Sequence, residues 1–450
     1  MSVVVKKTSP VVVRPSEPVK KTTNATTMKL SSFDVDLIDR AATALLVFDH
    51  PLHDAAGTIK IALSQALVHY YPIAGRIVAV DDDDDELHIL CNGEGVAFVA
   101  ASADCALKDA KFIDRGGAIE TKTTTTILLD ELVVFYLGDR CGPTDPLLLM
   151  QVTELSCGGF VLGVTWSHGI ADGTGMAQFL QAVGELARRS PSPSITPVRS
   201  DDSLPNLPPS LTALMQLVKI LEPLDLTCHV ITIPSTLTNR IRARFLENSI
   251  NGDDVVFCTM FEAIVAVLWQ CRARAIMSSS STSDSSSLSL LSFPACARKH
   301  VRAKDGYYGN CMTQQLVMAT CGEVANANTM DLIKMIKRAK DEIPSLLFSK
   351  NGEGYDHLLQ SIDMGQIGRI QYNSLNVSSW RNLGFDEADF GTGTPAKVMG
   401  YARPEQSLPF CVISPPCKGG KEDVDGTVVF SVCVMEEHAD AFLKELESFT

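Results

Sequence analysis

FVLGVTWSHGIADGTGMAQFLQAVGEL, residues 160–186, contains a strand, a turn and a helix in immediate succession. Phe160 to Ser167 is a nearly continuous apolar run of strand length, the pattern of a strand buried on both faces. Met176, Phe179, Leu180, Val183 and Leu186 then recur at helical spacing. The turn between them, HGIADGTG (168–175), holds three glycines that let the backbone bend sharply and leave room near a side chain. His168 sits at the strand end, with Asp172 four residues on. A turn after a buried strand is where a rigid scaffold presents a catalytic group. The HxxxD spacing alone is a weak signal, because His50 and Asp54 repeat it. That copy is followed by Pro51 and a polar segment with no glycine. On spacing alone, His168 is either a satisfied buried histidine or a general base.

Working outward, residues 1 to about 28 predict no helix, with Val11–Val13 as an edge strand. Ile59, Leu63, Ala66, Leu67 and Tyr70 mark a helix face that Pro72 ends, and a strand opens at Gly75–Arg76. Cys91–Val99 reads as a turn and a short strand. SPSPSITPVRSDDSLPNLPPS (190–210) is Pro/Ser-rich and aperiodic, and marks a domain boundary. It divides an N-terminal domain (1–190) from a C-terminal domain (211–450) through a linker at 191–210. The second half predicts a helix, a strand near His229–Ile233, and a helix face of Phe261, Ile264, Val265, Leu268 and Trp269. After a serine-rich loop at 278–287 come a strand at Leu288–Phe293 and a helix through Leu332, Ile336, Ala339 and Ile343. A strand at Thr427–Met435 and a helix carrying Phe442, Leu443 and Leu446 close the chain. Strands and helices mix in both halves, so the fold class is mixed α/β, with α+β the alternative.

The bulk properties narrow the function. The 450 residues fit two domains of ordinary size, and 45% apolar with 20% charged content is that of a globular protein. A formal charge of −14 with no basic patch argues against nucleic acid. The densest charge run, Asp81–Glu86, reads as a solvated loop, not a metal site. Thirteen cysteines with no CxxC pair suggest reduced thiols in a cytosolic protein, without structural zinc. No apolar stretch reaches the roughly 18 residues of a membrane span, and the N-terminal apolar runs of three are too short for a secretory signal. A GxSxG elbow, a Walker loop, GxGxxG and HExxH are all missing. Asp389–Phe390–Gly391 matches the kinase DFG tripeptide, but no HRD loop precedes it. A histidine with no serine or cysteine nucleophile suits direct general-base transfer between two bound substrates.

His168-Gly-Ile-Ala-Asp172 and Asp389-Phe-Gly-Thr-Gly393 resemble the two signatures, HxxxD and DFGWG, of the plant BAHD acyltransferases. LSQALVHYYPIAGR (63–76), CNGEGVAF (91–98), FEAIVAVLWQCRAR (261–274), GYYGN (306–310) and VSSWRNLGFDEADFG (377–391) extend the resemblance across nearly the whole chain. The resemblance implies two chloramphenicol acetyltransferase-like domains joined by a long crossover, with the active-site channel at their interface and His168 midway along it. It implies an acyl-CoA co-substrate, no permanently bound cofactor, and a small amine or alcohol acceptor, in a cytoplasmic monomer. His168 would be the general base. Asp172 would pair with Arg298 (in FPACARKH) and hold the turn, together with Gly173. Trp380 is either a core tryptophan or an indole N–H donor to the oxyanion, and Ser379 is a second candidate for that task. Asp389, Gly391 and Gly393 would be structural. Thr392 departs from the family tryptophan, and Thr394 from its frequent basic residue.

Three further expectations concern the substrates and the rivals. The donor would be an acetyl, benzoyl or hydroxycinnamoyl thioester, and the resemblance extends to grass members that acylate aromatic amines such as tryptamine or tyramine. One rival is a condensation-type enzyme fed by a carrier protein, but Ser167 stands where such enzymes place a second histidine. The other is a non-catalytic, ligand-binding relative, supported by the altered DFGTG loop.

Overall fold

The computed structural model describes residues 4–18, 27–79, 87–107, 110–113, 125–249, 256–279, 285–348, 355–356, 365, 367–401, 405–416 and 426–449. The acidic run Asp81–Glu86 and half of the serine-rich loop lie outside them. Two mixed sheets organise the rest. The first orders its strands Val5–Lys7, Val96–Ala103, Leu148–Leu155, Phe160–Ser167, Ala41–Phe48 and Lys397–Tyr401, and Val11–Val13 pairs with Val96–Ala103. The second runs Thr227–Pro234, Gly426–Val434, Phe410–Ile413, Leu375–Ser379, Leu288–Cys296 and Met312–Thr320. The first sheet is not built from the N-terminal half alone. Lys397–Tyr401 crosses over to pair antiparallel with Ala41–Phe48, setting Gly400 opposite Ala44.

The apolar runs read from sequence have a direct packing reason. In Ala41–Phe48, Ala44, Leu46 and Phe48 face one cluster, while Leu45 and Val47 face another. A strand buried on both faces needs no polar alternation. The first cluster lies under helices Ala55–His69 and Gly173–Ala187, whose Ile59, Leu63, Leu67, Phe179, Leu180 and Val183 fill it. A separate cluster packs helices Met260–Ser279 and Glu436–Phe449 on the second sheet. Between the sheets, Leu45, Val47 and Val161 meet Val412, Phe430 and Val432. Each sheet therefore carries helices on one face and shares an apolar seam with the other sheet.

Several predicted elements extend further than their sequence signals. The strand after Cys91 runs over Val96–Ala103. Helix Met260–Ser279 is buried well beyond the predicted face, because Ala266, Val267 and Cys271 are also enclosed. Its charged residues are paired: Glu262 lies 2.7 Å from Lys340, and Arg272 Nε donates to the Cys433 carbonyl. No helix among the described residues is long and apolar enough to cross a membrane.

Helix Gly173–Ala187 contains three glycines, each costing roughly 1 kcal/mol relative to alanine in a helix interior. Its Met176, Phe179, Leu180, Val183 and Leu186 are buried, and each such side chain contributes roughly 1.5–3 kcal/mol. The burial outweighs the glycine cost, and the glycines admit neighbouring backbone. A Cβ on Gly175 would lie 1.8 Å from the Tyr308 carbonyl oxygen, and one on Gly184 2.3 Å from that of Asp389. Gly175→Ala is therefore expected to destabilise the protein by at least about 1–3 kcal/mol. Gly368→Ala, in helix Ile367–Asn373 with open space at its Cβ, is the control and is expected to be neutral or slightly stabilising. Urea unfolding midpoints of the two variants against wild type check this.

Candidate active site

The strand Phe160–Ser167 is wholly buried and delivers the chain into the turn at a fixed position. Ser167 Oγ donates to the Ile38 carbonyl at 2.7 Å, and the His168 amide donates to the Arg40 carbonyl, also at 2.7 Å. Gly169 is required here, since a Cβ would come within 2.6 Å of Ile38 Cα. Trp166 Nε1 donates to the Ala171 carbonyl at 2.9 Å and folds the turn back on its own strand.

Asp172 closes the turn as the N-cap of helix Gly173–Ala187. Its Oδ1 accepts from the Gly175 amide at 2.9 Å, as a capping carboxylate should. Arg298 forms a bidentate pair with it, Nη1 to Oδ2 at 2.7 Å and Nη2 to Oδ1 at 2.9 Å. The Cys311 amide donates to Oδ2 at 3.1 Å. With four donors on two oxygens, the carboxylate is fully engaged and makes no hydrogen bond to His168. Burial works to lower the Arg298 pKa, but the Asp172 carboxylate outweighs it and the net shift is upward. The pair is a brace for the turn.

The partner of the His168 ring is Asn310. Its Oδ1 lies 3.1 Å from His168 Nδ1, and its Nδ2 donates to the His168 carbonyl at 2.7 Å. With the amide oxygen facing Nδ1, that nitrogen carries the ring proton and Nε2 keeps its lone pair. Nε2 has no hydrogen-bond partner among the described residues, and His168 is half-buried, so a ligand can reach it. Desolvation lowers the imidazole pKa below the ordinary histidine value. The residue's own backbone, then Asp172 and Asn310, pull it back in part, and Arg40 pushes it further down. The ring is thus neutral near pH 7, as a general base must be. GYYGN (306–310) stood out in the sequence, but a lone asparagine 142 residues away carries no spacing signature.

Trp380 and Ser379 end the strand Leu375–Ser379, and both are half-buried. The Trp380 indole stacks on Phe385 with centroids 5.1 Å apart and lies over Gly400, where a Cβ would be 3.2 Å from it. Among the described residues, neither side chain is hydrogen-bonded to His168. Gly173 lies beneath this segment, as a Cβ there would meet Leu383 Cδ1 at 2.5 Å. The chain then runs along the helix. Gln181 Nε2 donates to the Gly384 carbonyl at 2.8 Å, and Arg188 pairs with Asp389 at the far end. Asp389 Oδ1 accepts from the Gly391 and Gly393 amides at 2.8 and 3.0 Å, and both glycines take left-handed φ values of 113° and 94°. Fifteen helical residues at ~1.5 Å each separate the two signatures by roughly 20 Å. The DFGTG loop therefore serves the helix and not the imidazole. Within it, the Thr392 hydroxyl is buried without a hydrogen-bond partner among the described residues. In the second HxxxD copy, His50 is exposed, while Asp54 caps helix Ala55–His69 by accepting from the Gly57 amide at 3.1 Å.

A family model described as the Transferase family matches residues 3–449. The chain is 44% identical over 459 residues to "Acyl transferase 15" of Oryza sativa subsp. japonica, covering 99% of this chain and 98% of that one. It is 31% identical to "Myricetin 3-O-glucosyl 1,2-rhamnoside 6'-O-caffeoyltransferase AT2" of Crocosmia x crocosmiiflora, with 100% of each covered. Its fold is similar to that of vinorine synthase, with a TM-score of 0.70 at 19% identity over 99% of this chain and 98% of that one. It is also similar to TRI101 of F. sporotrichioides complexed with coenzyme A and T-2, with a TM-score of 0.65 at 16% identity over 94% and 97%.

Asp172→Ala is expected to cost about 3 kcal/mol or more, since it strands the Arg298 charge and removes the cap. Asp172→Asn keeps an acceptor for Gly175 and should cost less. Urea denaturation resolves the order, and equal losses would show that the cap contributes nothing beyond the charge pair.

Proposed function

The chain belongs to the BAHD Transferase family of plant acyl-CoA-dependent acyltransferases, and from that premise we propose the reaction that it carries out. It moves a hydroxycinnamoyl, benzoyl or acetyl group from CoA to the amine or hydroxyl of a small specialised metabolite, with His168 as general base. The observation that carries this reading is the His168 ring, which is bound at Nδ1 by Asn310 and open at Nε2. The family includes caffeoyl and N-benzoyl transferases, which support the choice of donors.

In this mechanism Nε2 takes the proton of the acceptor as its oxygen or nitrogen attacks the thioester carbonyl. A tetrahedral oxyanion forms, with Trp380 or Ser379 as candidate donors to it. The intermediate collapses, the C–S bond breaks, and the CoA thiolate recovers the proton from the imidazolium. No acyl-enzyme forms. An alkylamine arrives as an ammonium, with a pKa of about 10, and must shed one proton before His168 can take the second. An alcohol has no such requirement. The division at residues 191–210 into N- and C-terminal domains, a cytoplasmic monomer, and an acceptor of the aromatic-amine type complete the proposal.

Thiol release from acetyl-, benzoyl- and coumaroyl-CoA with tryptamine, tyramine and simple alcohols tests it. Turnover with at least one pair is expected, falling by about 10²–10⁴-fold in His168→Ala. Turnover that survives the substitution would remove His168 from the chemistry. CoA binding without turnover across the panel would point to an acceptor outside it.

A further inference from the structure

Asn310 can orient His168 only if its own amide is held one way round, and two buried charges far apart in sequence hold it. Asp34 accepts at Oδ1 from Asn310 Nδ2 at 2.8 Å and from the Asn310 backbone amide at 3.2 Å. Its Oδ2 accepts from the Ser31 amide at 2.9 Å and the Ser31 hydroxyl at 2.6 Å. Arg199 lies 3.1 Å from Oδ2, with side-chain exposures of 3% for Arg199 and 0% for Asp34. The other bond from Arg199 Nη2 goes to the carbonyl of Gly169, the residue after His168, at 3.0 Å. Arg199 belongs to the Pro/Ser-rich stretch at 190–210, which looked like a plain linker.

We propose that the buried Asp34–Arg199 pair is the positioning device that fixes the working tautomer of His168, acting through Asn310. The inference rests on His168 as general base and deepens that assignment. Nδ2 of Asn310 faces two acceptors, the Asp34 carboxylate and the His168 carbonyl. A reversed amide would turn its oxygen against both and lose both hydrogen bonds. The oxygen must therefore face His168 Nδ1, and an oxygen can only accept. The ring proton is thereby confined to Nδ1, and Nε2 faces the substrate as a base. Arg199 partners Asp34 at a buried site and ties the pair to the turn through the Gly169 carbonyl. No proton travels along this chain, because an amide does not relay one. Arg40 and Asp172 also act on the ring electrostatically, and neither contacts the Asn310 amide, so neither can decide its orientation.

If Asp34 is replaced by asparagine, the new amide can donate to Asn310 Oδ1. That favours the reversed Asn310, whose N–H then requires a bare Nδ1 and drives the ring proton to Nε2. The experiment combines ¹⁵N-histidine NMR of the full-length protein, with His168 assigned by its loss in His168→Ala, and steady-state thiol release. Wild type is expected to show neutral His168 protonated at Nδ1, and a wild-type ring protonated at Nε2 overturns the proposal. Asp34→Asn is expected to move the proton toward Nε2 and to lower kcat by about 10–100-fold, the range for losing the partner of a working histidine, with KM little changed. It should cause no further loss in the His168→Ala background. A kcat loss with the tautomer unchanged, or an equal loss in that background, would make Asp34 merely structural and overturn the proposal. Should Asp34→Asn not fold, Asn310→Ala leaves the ion pair intact and should give the same tautomer shift and loss. Nδ1 protonation in a wild type whose turnover survives His168→Ala would retain the positioning of the ring and discard the general-base assignment.

Discussion

The Asp172 carboxylate is the joint on which the site depends. Its two oxygens collect the Gly175 amide at the head of a helix, the guanidinium of Arg298 and the amide of Cys311. Those donors come from segments more than 120 residues apart, so one side chain fastens the turn of the first sheet to the strands of the second. A carboxylate that has left water needs such partners to offset its desolvation. Once they are in place, Asp172 makes no hydrogen bond to the imidazole and acts on it only through its charge. The HxxxD spacing thus joins the proposed base and a fastening residue at the two ends of one turn.

The second signature completes the same helix instead of forming a second site. Leu383 lies against Gly173 at its start, Gly384 against Gln181 along its side, and Asp389 against Gly184 and Arg188 at its end. Both glycines of DFGTG adopt positive φ because the Asp389 carboxylate draws their amides inward. The helix following His168 is therefore clamped along its whole length by chain from the C-terminal half. Lys397–Tyr401 continues from that clamp into the first sheet, beside the strand that packs against Phe160–Ser167. The position of His168 is consequently a property of both halves of the molecule.

Much of this was legible in the sequence because it is local. A buried strand, a glycine turn and an amphipathic helix are written within 160–186, and helices such as Glu436–Phe449 show their spacing plainly. The Asp172–Arg298 pairing came from family resemblance and not from spacing. What could not be read depends on contacts between distant residues. Asn310 and Asp34 are separated by 276 positions, and nothing in KLSSFD or GYYGN announces that they meet. Leu148–Leu155 and Ala41–Phe48 gave no alternating pattern, since both of their faces are covered. Lys397–Tyr401 pairs with a strand more than 350 residues earlier, and no periodicity encodes such a pairing. Arg199 lies in a stretch whose composition signals a linker, yet it is among the most buried charges in the molecule.

The central claim is that a neutral His168, with its pKa lowered by burial, removes the acceptor proton directly. The pH dependence of kcat/KM with an alcohol acceptor, which has no ionisation of its own in the range, tests this most directly. A base is active when unprotonated, so the rate must fall as pH drops through its pKa and stay level above it. Desolvation places that pKa below the histidine value of about 6.5. The account predicts one acid-side ionisation below about 6.5 and a plateau through neutral pH. A rate that rises as pH falls, or an acid limb centred well above that value, would contradict it.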